Sequence, residues 1–72
     1  MIDGKIIGKR LTYLRGERSR RDVATIVGAS ERAIIAYEMG ERIPRDEMKR
    51  KLALLYGRTV EEIFFAEKVH FE

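Results

Sequence analysis

Apolar residues recur at helical spacing along the chain, and glycine, serine, threonine or proline separates one repeat from the next. In the first segment Ile7, Leu11 and Leu14 stand at positions i, i+4 and i+7, so they share one face of a helix over about residues 4–16. The residues expected off this face are Lys9, Arg10, Thr12 and Tyr13. The pattern predicts an all-α fold.

Two shorter helices are expected next. Ser19 is placed to cap a second helix over about residues 20–27, because its oxygen can accept from a free N–H group of the first turn. Gly28 supplies the following turn, and Ser30 is the expected cap of a third helix over about residues 31–39. The sequence thus predicts a short helix, a tight turn and a second short helix.

The second half of the chain continues the helical pattern. Gly40 is expected to end the third helix in a left-handed conformation. Pro44, the sole proline, marks the entry to a fourth helix, in which Met48, Leu52 and Leu55 repeat at i, i+4 and i+7.

A fifth helix is predicted by a capping box. Gly57 closes the fourth helix, and Thr59 stands three residues before Glu62, so that each side chain can meet the other's backbone N–H. The short helix should end at Phe64 or Phe65.

The last residues allow two interpretations. Polar and apolar residues alternate over 67–72, which would suit a short edge strand, although six terminal residues would equally form an irregular tail. We therefore expect a helix-turn-helix domain over residues 1–66 and a C-terminal tail over 67–72 that contributes to a dimer interface.

Length and composition bound the class of protein. A chain of 72 residues, 44% hydrophobic and 38% charged, has room for one small globular domain. It contains no cysteine, so disulfides and thiolate zinc sites are excluded. It also lacks an apolar run of membrane-spanning length and the apolar core of a signal peptide, from which we expect a cytoplasmic protein with no membrane partner.

Catalysis is not supported. The lone histidine, His70, has no nucleophile or metal-ligand spacing around it, and Glu61 and Glu62 suit helix capping better than acid–base chemistry. No phosphate-binding glycine motif is present, so we expect no cofactor, no metal and no enzyme activity.

Positive charge is concentrated at one end. Residues 1–21 contain seven basic and two acidic side chains, a balance of +5, whereas the other 51 residues contain eight basic and ten acidic ones, a balance of −2. Such asymmetry suggests a polyanionic partner, although a solvated basic face is the simpler alternative.

The pair of short helices corresponds to a helix-turn-helix at about residues 20–39. In that motif the first helix braces the second, whose N-terminal end enters the major groove of DNA. Arg20 and Arg21 lie in the first turn of the bracing helix, where cations are disfavoured by the helix dipole unless a phosphate is bound. The alternative is two solvated arginines near Asp22 and Glu17.

Several short motifs stand in an order typical of one family. From Ile7 to about Phe65 the chain resembles the lambda-repressor-like helix-turn-helix domains, the Cro and C1-type regulators called the XRE family. The residues that carry this resemblance are Val23-Ala24, Gly28-Ala29-Ser30, Ile34, Tyr37-Glu38, Gly40, Pro44, Leu52-Ala53 and Gly57-x-Thr59-Val60-Glu61-Glu62-Ile63-Phe64.

The resemblance implies a compact five-helix domain that binds DNA. Base contacts would come from the start of the third helix: Arg32 to guanine, and Glu31 either to cytosine or only to the helix dipole. Ile35 would either touch a thymine methyl group or pack inside. The residues expected at DNA phosphates are Ser19, Arg20, Arg21, Ser30, Arg42 and Arg45.

The chain also departs from the family pattern. Ile35 and Ala36 stand where relatives usually carry polar or basic residues that face the duplex, so hydrogen-bond donors are missing there. Met39 replaces the Asn or basic residue of relatives, which puts one phosphate contact in doubt. The joint between the first two helices is about two residues short, as in regulators of Gram-positive bacteria and their phages. The resemblance further implies a structural ion pair between Arg15 and Glu38.

The C-terminal end is unusually apolar. The last ten positions contain more apolar side chains than the end of a small monomer easily buries. These residues are Ile63 and the proposed dimer residues Phe64, Phe65, Val69 and Phe71. Part of this set is therefore expected to meet a second subunit, unless Ile63 and Phe64 complete the core and the remainder frays.

Two functions from different classes follow. The leading hypothesis is a sequence-specific transcriptional regulator, a homodimeric repressor of phage or mobile-element type that binds double-stranded operator DNA in the major groove. The alternative is an antitoxin-like or regulatory interaction module whose main contact is another protein.

Overall fold

The computed structural model describes residues 2–69 and 71, and within them the chain is all-helical. Its elements are α1 (Gly4–Arg15), α2 (Arg20–Val27), α3 (Glu31–Glu38), α4 (Asp46–Tyr56) and a short π-type helix α5 (Glu61–Phe65). The predicted all-α fold with five helices is confirmed. Residues 66–69 form no strand, and His70 and Glu72 lie outside the described residues.

The serine caps form as the sequence predicts. The Asp22 N–H donates to Ser19 Oγ at 3.0 Å, and the Ala33 N–H donates to Ser30 Oγ at 3.0 Å. Each cap satisfies one of the backbone donors that a helix leaves free in its first turn. Both helices of the helix-turn-helix therefore begin at fixed residues.

Helix α4 begins slightly later than its proline suggests. Pro44 is buried in the connection, and the helix itself starts at Asp46 after Arg45, whose side chain makes no capping hydrogen bond. Asp46 and Glu47 in the first turn suit the positive end of the helix dipole.

The predicted capping box opens α5. The Thr59 N–H donates to Glu62 Oε1 at 2.9 Å, and the Glu62 N–H donates to Thr59 Oγ1 at 3.0 Å. The hydrogen bond from the Thr59 backbone lowers the pKa of the Glu62 carboxyl, because it stabilises the ionised form. The helix then closes with π geometry: the Ala66 N–H donates to the Glu61 carbonyl, five residues back, at 2.7 Å.

Arg10 corrects the expected division of α1 into a core face and a solvent face. It was expected off the core face, but it is buried and its guanidinium donates to three carbonyls of the C-terminal segment. Nη1 lies 2.8 Å from the Glu62 oxygen and 3.3 Å from that of Ile63, and Nη2 lies 3.1 Å from the Glu67 oxygen. A cation thus meets carbonyls that the end of α5 would otherwise leave without donors.

The core gathers one face from every helix. Its buried apolar residues are Ile7, Leu11, Val23, Ala24, Val27, Ala33, Ile34, Tyr37, Leu52, Ala53, Ile63 and Phe64. Leu14, Met48 and Leu55, which complete the predicted stripes, are partly buried against this cluster. Full burial of a large aliphatic or aromatic side chain contributes about 1.5–3 kcal/mol each, so this cluster provides the main stabilisation of the fold.

Helices α1 and α3 approach each other through glycine. A Cβ atom at Gly8 would lie 2.8 Å from the carbonyl carbon of Glu38 and closer still to its oxygen. At the other end of the contact Gly40 has φ of 75° and faces the backbone of Lys5, where an added Cβ would lie 2.9 Å from Cα. The two backbones therefore touch with no room for side chains between them.

The substitution Gly8→Ala should destabilise the protein. Alanine is the better helix former by about 1 kcal/mol, but its methyl group would overlap the backbone of α3, and overpacking of this kind costs about 1–3 kcal/mol. Urea denaturation would measure the change in the free energy of unfolding. Lys9→Ala, on the exposed side of the same helix, is the control and should stay within about 0.5 kcal/mol of the wild type. A Gly8→Ala variant more stable than the wild type would contradict the close approach.

Candidate nucleic-acid interface

Helices α2 and α3 form the predicted helix-turn-helix. Gly28 takes a left-handed conformation with φ of 74°, and the Ala29 N–H donates to the Ala24 carbonyl at 2.9 Å, which ends α2 and redirects the chain. Helix α3 buries Ala33, Ile34 and Tyr37 against the core. Its opposite side is therefore turned away from the body of the protein.

The N-terminal end of α3 is exposed. Glu31 and Arg32, the two expected base-reading residues, are both solvent-accessible. Ile35 and Ala36, one turn further on, are half-buried, whereas Met39 at the end is 56% exposed. Ile35 was expected either to touch a thymine methyl group or to pack inside. In the structure part of its side chain packs inside and part remains accessible.

Basic side chains lie near both ends of α3. Arg21 Nε lies 3.8 Å from Glu31 Oε1, a loose contact between two exposed groups that contributes little to stability. On the other flank the Arg42 guanidinium lies 5.9 Å from the centre of the Tyr37 ring, and Arg45 is exposed beside it in the same shallow cleft. All three arginines can be reached from solvent.

Ser19 and Ser30, the two serines expected to contact phosphate, each keep a hydroxyl hydrogen that can be donated. Ser19 and Ser30 each accept one hydrogen bond as helix caps. A hydroxyl group that accepts through a lone pair still has its own O–H to donate. Capping is therefore compatible with a second bond from each serine to an anion.

Glu38 is the centre of a charged triad. Its Oε2 accepts from Arg15 Nε at 2.7 Å and its Oε1 accepts from Arg20 Nε at 2.9 Å, while the carboxylate side chain is only 2% exposed. The hydrogen bond to Glu38 raises the pKa of Arg15, so this guanidinium stays charged at every physiological pH. The structure brings together the expected pair of Arg15 and Glu38 and adds Arg20, which the sequence assigned to phosphate alone.

Tyr56 lies at the edge of this triad. Burial raises the pKa of its phenol to about 12, and the nearby negative charge of Glu38 acts in the same direction. The positive charges of Arg15 and Arg18 oppose this shift without reversing it. Tyr56 is therefore neutral whenever the protein is folded near neutral pH.

The C-terminal aromatic residues divide between core and surface. Phe64 is completely buried within its own chain, so its assignment to a dimer interface was wrong: it has no surface to offer a second subunit. Phe65 is 40% exposed, and Val69 is half-buried. Phe71 packs within the chain, its ring centre 6.3 Å from that of Tyr13 and 5.0 Å from the guanidinium of Arg58.

Lys49 is a second buried cation that the sequence did not suggest. Its Nζ lies 3.6 Å from Asp46 Oδ1, and it also lies 5.8 Å from the centre of the Phe64 ring and 5.3 Å from that of Phe65. Lys49 is one residue after Met48 and three before Leu52, so the spacing of the apolar stripe places it at the edge of the core face.

The fold is similar to that of a solved transcriptional repressor structure. That structure is the solution structure of the SOS-response transcriptional repressor LexA from Eubacterium rectale, with a TM-score of 0.84. The alignment covers 97% of the present chain and 77% of that one at 18% sequence identity. No family model and no curated protein matches the sequence. In the part of the chain that the structure describes, no helix is long and apolar enough to cross a membrane.

Replacement of Arg15 by alanine should destabilise the fold by about 3 kcal/mol. Loss of one partner of a buried ion pair leaves its carboxylate poorly compensated, and here the remaining Arg20 keeps the cost at the lower end of the usual range. Chemical denaturation would measure the change in the free energy of unfolding. Arg18→Ala, in the exposed joint three residues after the end of α1, is the control with the same change of charge. Equal stability of the two variants would show that the pair contributes nothing.

Proposed function

We propose that this protein is a sequence-specific transcriptional regulator that binds double-stranded DNA through α3 in the major groove. The observation that carries the proposal is the exposed start of α3, where Glu31 and Arg32 are accessible, with exposed arginines near each end of the helix. The similarity in fold to a transcriptional repressor supports it. A pair of braced helices with one free, charged end is the arrangement that major-groove recognition requires.

The base contacts are assigned to the exposed end of α3. Arg32 donates to O6 and N7 of a guanine, since its guanidinium matches these two acceptors. Glu31 either accepts from a cytosine N4 group or serves only to favour the helix start, where Arg21 is near it. The accessible part of Ile35 is suited to a thymine methyl group.

The phosphate contacts are assigned to the ends of both helices. The Ser19 and Ser30 hydroxyls donate from the two caps, and Arg20 and Arg21 follow in the first turn of α2. Arg42 and Arg45 act on the far side of α3, in the connection to α4. Contacts of this kind hold the protein in register on the duplex without reading its sequence.

Within this class we assign the protein to the lambda-repressor-like, XRE type, as a homodimeric repressor carried by phages or mobile elements and acting in the cytoplasm. The order of short motifs from Ile7 to Phe65 supports the type. Exposure of Phe65, beside Val60 and the edge of α4, supports a second copy as its cover. Val69 and the outer side of Phe71, both partly exposed, are assigned to the same interface.

One observation favours a second candidate function. Helix α3 presents Ala36 and Met39 where a groove-facing helix normally carries hydrogen-bond donors, and Met39 is 56% exposed. Exposed methionine suits an adaptable protein contact. The second candidate is therefore an antitoxin-like interaction module whose main contact is another protein.

Arg32→Ala should weaken binding to the cognate site by about 1–3 kcal/mol and leave binding to scrambled DNA nearly unchanged, because one bidentate base contact is lost. The site would be selected from a randomised duplex library with wild-type protein, and affinities would be measured by fluorescence anisotropy at two salt concentrations.

Lys51→Ala is the control, because Lys51 is an exposed cation of α4 that lies outside the helix-turn-helix and outside the surface around Phe65. Equal weakening on cognate and scrambled DNA would move Arg32 to the phosphate contacts. Failure of the wild-type protein to select any site would favour the interaction module.

Phe65→Asp should shift the protein from dimer to monomer in sedimentation equilibrium, because a charge would be buried at the centre of an apolar contact. Ile26→Asp is the control, since Ile26 is a similarly exposed apolar residue on α2. A Phe65→Asp variant that remains dimeric would exclude this surface as the interface.

A further inference from the structure

The triad of Glu38, Arg15 and Arg20 carries a net charge of +1. Two guanidinium groups, from Arg15 at the end of α1 and Arg20 at the start of α2, share a single carboxylate. Glu38 is nearly inaccessible to solvent, but the Arg20 side chain is 36% exposed. The surplus charge therefore faces the surface on the side of Arg20.

Only part of the Arg20 guanidinium is used within the protein. Its Nε–H donates to Glu38 Oε1 at 2.9 Å, and among residues 2–69 and 71 its two terminal nitrogens make no hydrogen bond. An arginine has five N–H donors in one rigid plane, so four remain. Because the plane is rigid, the bond at Nε also restricts where these four donors point.

The carboxylate that holds Arg20 is itself fixed. Glu38 Oε2 is occupied by Arg15 Nε at 2.7 Å, and the Arg15 Nη1 also donates to the Arg18 carbonyl at 2.8 Å. The Arg18 carbonyl belongs to the joint between α1 and α2. Arg20 is thus positioned by a rigid support that includes the end of α3.

We propose that Glu38 is a positioning residue for DNA binding, which presents the terminal nitrogens of Arg20 to a backbone phosphate. The proposal rests on the proposed function and names how one phosphate contact is made. The phosphate neutralises the surplus charge of the triad, and an arginine already held at Nε loses less side-chain freedom on binding than a free one.

The same arrangement fixes the register of the two helices on DNA. Arg20 begins α2, whereas Glu38 ends α3, the helix whose first turn contains Arg32. A phosphate bound by Arg20 is therefore tied to α3 through one carboxylate. Lysine at position 20 would retain the charge, but a single ammonium nitrogen does not present two separate edges to Glu38 and a phosphate.

The first experiment compares two charge-conserving variants. Affinity for a random-sequence duplex would be measured by anisotropy over a range of salt concentrations. Arg20→Lys should bind about tenfold more weakly than the wild type, with a nearly unchanged salt slope. Arg18→Lys, on an exposed arginine of the joint before α2 that does not contact Glu38 and is not among the proposed DNA contacts, is the control and should bind within about twofold of the wild type.

Arg20→Ala completes the first test. It removes the charge as well, so the slope of log affinity against log salt should fall by about 0.9 in addition to an affinity loss of about tenfold. Equal binding of Arg20→Lys, Arg20→Ala and the wild type would overturn the proposal. A wild-type protein that binds no duplex at all would instead overturn the proposed function, and with it this inference.

A double-mutant cycle tests the role of Glu38. Glu38→Gln should weaken duplex binding several-fold in the wild-type background and have little effect when Arg20 is already alanine, because its action passes through Arg20. A purely structural role, including any effect through Arg15, would give the same loss in both backgrounds and would overturn the proposal. Circular dichroism would establish that each variant is folded, and if Glu38→Gln does not fold, the comparison of Arg20→Lys with Arg18→Lys decides.

Discussion

A single residue at the end of α3 joins three helices. The backbone of Glu38 lies against Gly8 of α1 with no space for a Cβ atom, and its carboxylate binds Arg15 at the end of α1 and Arg20 at the start of α2. The close packing fixes the distance between α1 and α3, and the hydrogen bonds fix the position of α2 relative to both. A buried carboxylate is costly on its own, so this junction is stable only while its arginines are present.

The junction also changes the meaning of the charge pattern. The first 21 residues have a balance of +5, which in the sequence suggests one block of positive surface. In the structure the Arg10 guanidinium donates to carbonyls of the C-terminal segment, and the Arg15 guanidinium donates to Glu38. Part of the positive charge therefore stabilises the fold. The positive charge of this block that remains accessible to solvent belongs to Lys5, Lys9, Arg18, Arg20 and Arg21.

The local features were predictable because they depend on nearby residues. The serine caps, the left-handed Gly28 and the capping box of Thr59 and Glu62 involve partners within a few positions, so the sequence contains all the information that they need. The ion pair between Arg15 and Glu38 joins residues 23 positions apart, so local spacing does not predict it. Only the resemblance to a known family predicts this pair.

The remaining features depend on how the helices pack. Arg10 stands three residues after Ile7 and one before Leu11, a spacing compatible with the core face, but only the carbonyls of a distant segment make its burial favourable. Phe64 and Phe65 are adjacent and chemically identical, yet one is fully buried and the other 40% exposed. Composition cannot distinguish them, because the direction of α5 decides which ring faces the core.

The chemistry of α3 bears on the proposed dimer. Its exposed face offers few groups that can distinguish bases: one arginine, one glutamate and part of one isoleucine. One good base contact contributes about 1–3 kcal/mol of discrimination against the wrong base. Specific regulators bind their sites about 10³–10⁷ times more tightly than other DNA, which corresponds to about 4–10 kcal/mol. One or two such contacts do not reach the upper part of this range. Two copies related by a two-fold axis double the number of base contacts and place their recognition helices on successive turns of the groove, about 34 Å apart. If the protein acts as proposed, with so few donors on α3, its specificity for DNA would depend on the proposed dimer contact as much as on α3 itself.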